Sequence, residues 1–117
     1  MMNQRELRAH YEKKAKLREA VLTLDGLREY AAQGVSGLDA EIADMEQETQ
    51  ATAAELDAEG ERVLSTLAAV EDSVCRVMLT LHFYRGLPWK EVGGLCGVSE
   101  YAAKSRTIKA MRKAIPK

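Results

Sequence analysis

Leu87-Pro88-Trp89-Lys90-Glu91-Val92-Gly93-Gly94-Leu95-Cys96-Gly97-Val98-Ser99 decides how this chain folds. Pro88 suits the first position of a helix, where its missing N–H is not needed. The helix so begun runs to Cys96 and is expected to turn Val92, Leu95 and Cys96 inward. Gly93 leaves room for a second helix to cross close to the first. Gly97 stands where a tight turn favours positive φ. Val98 then fills the corner as a buried apolar residue, and Ser99 is placed to cap the next helix. A short helix, a glycine turn and a capped second helix are the parts of a helix-turn-helix, which sets one helix into the major groove of duplex DNA.

The charge pattern agrees. The formal net charge is only −1, but it is the sum of two opposed segments. From Asp39 to Asp72 there are eleven carboxylates and one base, Arg62. From Tyr101 to Lys117 there are six bases and no acid. A basic tail on an otherwise acidic chain points to a nucleic-acid partner. A merely solvated basic face is the alternative.

Toward the N-terminus the pattern is helical. Residues 3 to 32 carry Leu17, Val21, Leu24 and Leu27 at spacings of four and three, and Leu7 and Tyr11 extend the stripe backward. The glycines of Gln33-Gly34-Val35-Ser36-Gly37 end that helix. A second begins near Leu38 with the stripe Leu38, Ile42, Met45, Thr49, Thr52, Leu56, Val63, Leu67, Val70, a heptad-like seam weakened by its threonines. Gly60 is expected to lie within a continuous helix. The two helices form an antiparallel hairpin or pair between two chains, and the sequence leaves both open. Asp72 is placed to cap a third helix over about 73 to 84, expected to bury Val74, Val77, Met78, Leu81 and Tyr84.

The C-terminal half resembles the promoter-reading region 4 of bacterial sigma factors. The likeness covers roughly residues 67 to 115, less than half the chain. It is carried by Val77-Met78, Leu81-His82-Phe83-Tyr84, Gly86-Leu87, Trp89, Glu91-Val92-Gly93, Gly97-Val98-Ser99, Lys104-Ser105-Arg106 and Lys109-Ala110-Met111-Arg112-Lys113. Fused to a helical arm, it is similar to small phage-borne proteins. The resemblance implies double-stranded DNA as partner, contact with RNA polymerase, and a transcription regulator of prophage type. The chain is too short to hold the sigma core-binding region as well. Primary sigma factors place Arg, Glu and Gln at the start of the recognition helix. Glu100, Tyr101 and Ala102 stand there in this sequence, so the usual promoter element is not the expected target.

The expected fold is all-α: a hairpin or coiled-coil arm over 1–70 and a helix-turn-helix DNA-binding domain over 71–117. The expected DNA-binding residues are Trp89, Lys90, Ser99, Glu100, Tyr101, Lys104, Ser105, Arg106, Lys109, Arg112 and Lys113. Lys104 leads, for a groove or phosphate contact, with Tyr101 and Ser105 beside it. Trp89 and Lys90 stand where a first motif helix meets phosphates, although Trp89 has packing as its alternative. Glu100 complements the helix dipole or reads cytosine. Lys109, Arg112 and Lys113 follow the backbone and add salt-sensitive affinity. The acidic arm suits a homodimer or a protein partner.

His10 and His82 lack partners at ligand spacing, and Cys75 and Cys96 read as reduced thiols. No catalytic constellation, metal site or cofactor is expected, so the chain is not expected to be an enzyme. No apolar run approaches the roughly 20 residues of a membrane span, and a cytoplasmic location is the expectation. The competing readings are a phage packaging or assembly subunit and a protein-interaction adaptor.

Overall fold

The computed structural model describes residues 1–117 and is all-helical. Helix α1 spans Gln4–Ala32 and α2 spans Asp39–Leu67. Helix α3 spans Ser73–Leu79 and continues as a π-helical turn over Thr80–Tyr84. Helices α4 and α5 span Trp89–Cys96 and Glu100–Ala114. None is long and apolar enough to cross a membrane. Gly60 lies inside the unbroken α2, and α4 begins one residue after the expected Pro88.

Local signals set the helix starts. Asn3 Oδ1 accepts from the amide of Glu6 at 2.8 Å, and Glu6 Oε1 accepts from the amide of Asn3 at 3.3 Å, a reciprocal capping box. Asp72 accepts from the Cys75 amide at 2.9 Å, and that bond is the first cause holding its carboxyl below the usual range. Ser99 Oγ accepts from the Ala102 amide at 3.0 Å.

Packing gathers the helices into two compact units. Residues 13–58 form one of them. Leu24 and Leu56 are its fully covered side chains, with Leu17, Leu27, Ile42 and Met45 half-buried. Ion pairs join Lys13 to Glu55 at 3.7 Å and Arg28 to Glu46 at 3.2 Å, so the two helices pass each other in opposite directions. Gly34 and Gly37, with φ of 96° and 86°, make the turn between them.

Residues 1–12 and 59–117 form the other unit. The sequence places a boundary at 70/71, whereas packing divides the chain at 12/13 and 58/59. The cause is apolar cover. Met2 and Leu7, at one end of the chain, and Val63, Leu67 and Val70, at the end of α2, share one core with Met78, Leu79 and Phe83. The Met2 amide donates to Thr66 Oγ1 at 2.8 Å, and the Thr66 hydroxyl donates to the Arg62 carbonyl at 2.7 Å. These buried polar groups therefore lose nothing by leaving water.

The expected inward face of α3 needs correction. Val74 and Val77 are 55% and 53% exposed. The buried residues are Cys75, Met78, Leu79, His82 and Phe83. Counted from Cys75 they fall at i, i+3, i+4, i+7 and i+8, the inward stripe of a helix, one residue out of register with the expected one. The last two lie within the π-turn. Leu81 and Tyr84 are half-buried.

The shared core makes a prediction. Leu7→Ala should cost about 2–5 kcal/mol by emptying a closed site, whereas exposed Leu22→Ala should stay within about 0.5 kcal/mol. Urea denaturation measures both, and a neutral Leu7→Ala would mean that the first turns of α1 do not belong to the core.

Candidate nucleic-acid interface

The α4–α5 junction is built around Gly93. A Cβ on Gly93 would lie 2.7 Å from the Val98 carbonyl oxygen and 3.1 Å from the Ser99 carbonyl carbon. The crossing is thus backbone against backbone, closer than even alanine permits. The Gly93 carbonyl accepts from the Gly97 amide and, at 2.9 Å, from the Val98 amide. Gly97 closes α4 in the left-handed conformation, φ 71°. Val92 is buried and Cys96 half-buried, as expected. Leu95 is not inward: it is 69% exposed. Gly93 takes the inward place because the crossing chain leaves no room there for a side chain.

Helix α5 buries Ala103, Thr107 and Met111. At 3.6 residues per turn the side farthest from them carries Ser105, Lys109 and Arg112, and beside it runs the stripe of Tyr101 and half-buried Ile108. Tyr101 is fully presented and Lys104 borders that stripe, exposed. Glu100 and Ser99 are exposed at the helix start, and the Ser99 hydroxyl oxygen is used by its cap bond.

The basic residues do not share one face. Arg106, Lys109 and Lys113 line a groove of about 630 Å³ with Glu71, Asp72 and Val74. The Arg106 guanidinium contributes, as a lesser cause, to the lowering of the Asp72 carboxyl. Cys75 lies at the same groove. Burial, then the Asp72 carboxylate, pushes its thiol upward, and Sγ–H donates to the Arg106 carbonyl at 3.8 Å. Cys75 and Cys96 are both free thiols. Arg112 points elsewhere, into a groove with the first turns of α1. Tyr101, Lys104 and Ser105 thus lie together in the first turns of α5, Arg106, Lys109 and Lys113 line one groove, and Arg112 lines another.

Trp89 is half-buried and stacks on His82, ring centroids 3.9 Å apart at 13°. Tyr11 stacks on the other face of His82, also at 3.9 Å. Lys90, the next residue of α4, is exposed. His82 Nδ1 lies 2.7 Å from the Leu87 carbonyl, which can only accept, so this nitrogen carries the proton of the neutral ring. Burial lowers the His82 pKa from 6.5 to about 4; the Leu87 hydrogen bond opposes that, and the charge of Lys104 adds to it. Sequence reasoning left His82 as an isolated structural histidine. Its aromatic partners, Tyr11, Phe83 and Trp89, were visible in the sequence, but their meeting was not.

Comparison of the chain with protein-family models, with curated proteins and with solved structures gives no match.

Two glycines, adjacent in sequence, should behave oppositely. Gly93→Ala forces backbone apart and should destabilise by about 1–3 kcal/mol. Gly94 has open space around its Cβ position, so Gly94→Ala should stabilise by up to about 1 kcal/mol. Thermal melts of both variants decide this, and equal effects would contradict the close crossing.

His82 sets a pH dependence. Its folded-state pKa lies below the unfolded value, so the unfolded chain takes up the proton first. Its contribution is complete above about pH 6.5 and is lost as pH falls toward 4, by about 3 kcal/mol in all. Wild type should therefore lose more stability between pH 6.5 and 4 than His82→Phe. Parallel denaturation curves for the two proteins across that window would contradict the shift.

Proposed function

We propose that α4, the Gly97 turn and α5 are a helix-turn-helix unit of the kind found in region 4 of bacterial sigma factors. On this reading the chain is a DNA-binding transcription regulator of prophage type. The observation that carries it is the Gly93 crossing. It holds α5 against α4 by backbone contact and leaves Tyr101, Lys104 and Arg112 exposed. A rigidly held helix with a free, cation-bearing face is what entry into the major groove requires.

The roles follow from position. Tyr101, Lys104 and Ser105 meet base edges or the nearest phosphates. Lys90, at the start of α4, meets the backbone, while Trp89 fixes that start by stacking. Lys109 and Lys113 face the Glu71–Asp72 side and contribute less than their charge suggests. The arm supplies a homodimer contact, which would place two recognition helices on paired half-sites. Contact with RNA polymerase is proposed from the resemblance alone.

The test is enrichment of fragmented DNA from the source genome at two salt concentrations, by wild type and by Tyr101→Ala/Lys104→Ala. A discrete site, lost in the double variant, is the expected result. Absence of any binding at low salt overturns the reading. If the chain then forms a ring-like oligomer, the assembly-subunit reading replaces it.

A further inference from the structure

We infer that Arg5 and Arg8, with Arg112, form a wall that grips the phosphate backbone of the same duplex that α5 enters. This rests on the regulator reading and extends its interface to the opposite end of the chain.

The first turn of α1 is fastened to the end of α5. The Gln4 amide donates to the Pro116 carbonyl at 2.7 Å, and Gln4 Nε2 donates to the Ile115 carbonyl at 2.8 Å. Gln4 is buried, so both bonds are shielded from water. Beside this joint Arg5, Arg8, Arg112 and Lys117 line a groove of about 800 Å³ in which Glu12 is the one acidic side chain. All four cations are exposed, and no ion pair engages any of them. The groove thus gathers positive charge from two helices without neutralising it.

Its place on α5 fits a duplex. Arg112 lies eight residues beyond Lys104, about 12 Å along the helix axis. The major groove is about 12 Å wide. With Lys104 over base edges, Arg112 reaches the bordering strand, and Arg5 and Arg8 stand beside it. Guanidinium groups suit that position because each can hold two phosphate oxygens at once. The other flank of α5 is a poorer phosphate site, since Glu71 and Asp72 line it with Arg106, Lys109 and Lys113. Charge therefore selects the α1 side.

The experiment measures affinity of the full chain for its enriched duplex, or for mixed-sequence duplex, across a salt series. Arg5→Gln/Arg8→Gln should make the slope of log K against log salt shallower by about 1.8, the loss of two phosphate contacts. The ranking of duplex sequences should not change. Glu12→Gln removes the opposing charge and should tighten binding severalfold, a gain that impaired folding could not mimic. Circular dichroism melts check that the variants stay folded. An unchanged slope in the double variant, with no gain for Glu12→Gln, overturns the wall while leaving the regulator reading intact. Failure of the wild type to bind any duplex at low salt overturns the regulator reading and the wall with it.

Discussion

The imidazole of His82 is the contact on which the second unit turns. It lies flat between Tyr11 of α1 and Trp89 of α4, 3.9 Å from each ring, with Phe83 edge-on. Three elements meet there: α1, the π-turn and α4. Its Nδ1–H bond to the Leu87 carbonyl also anchors the link from which α4 departs. A phenyl ring could stack but could not hold that carbonyl. Aromatic faces favour a cation between them, yet burial and Lys104 prevail and lower the pKa to about 4. The ring therefore serves as a neutral spacer with one donor. Through α4 it fixes Gly93, and through Gly93 the position of α5.

What could be read from the sequence was what depends on near neighbours. The Asp72 and Ser99 caps, the Gly97 turn and the small residue at 93 each act within a few positions, and all appear in the structure. The misreadings have a non-local cause. The inward stripe of α3 was read one residue out of register, from Val74 instead of Cys75, because both stripes repeat at three and four and only the packing of the neighbouring helices chooses between them. Leu95 was read as inward from its spacing to Val92, but the inward face runs through Val92, Gly93 and Cys96, because Val98 and Ser99 pack directly on Gly93. The docking of Met2, Gln4 and Leu7 had no local signal, because their partners lie some 60 to 110 residues away. For the same reason Arg5 and Arg8 passed as ordinary surface charges of a first helix. The basic face of α5 was legible as composition; its division into two flanks required Glu71 and Asp72 to be seen beside it.

Residues 13–58 show how charge can set a register where apolar packing is thin. Leu24 and Leu56 are the only side chains there that are fully covered. Thr49 and Thr52 occupy seam positions where a larger aliphatic side chain would bury more. Exposed ion pairs are each worth at most about 1 kcal/mol. Two of them at opposite ends, Lys13–Glu55 and Arg28–Glu46, still discriminate against a shifted pairing, because a slip of one turn would break both at once. A seam so lightly packed favours a pairing without binding it tightly. That suits an element that is proposed to supply a homodimer contact.

Net charge predicts little about how this chain meets a polyanion. At 0.1 M salt, interactions between exposed charges fade beyond about 10 Å. Of the acidic run from Asp39 to Asp72, Glu71 and Asp72, which stand beside α5, therefore bear on it directly. On one flank, Glu71 and Asp72 set carboxylates among Arg106, Lys109 and Lys113. On the other, Arg5 and Arg8 add to Arg112 against Glu12 alone. The same helix is thus close to balanced on one side and strongly positive on the other. On the proposed reading, a phosphate backbone is drawn toward the positive side, and that rotation chooses which residues of α5 face the bases. On the proposed reading, Tyr101, Lys104 and Ser105 read sequence because of where the charges beside them sit.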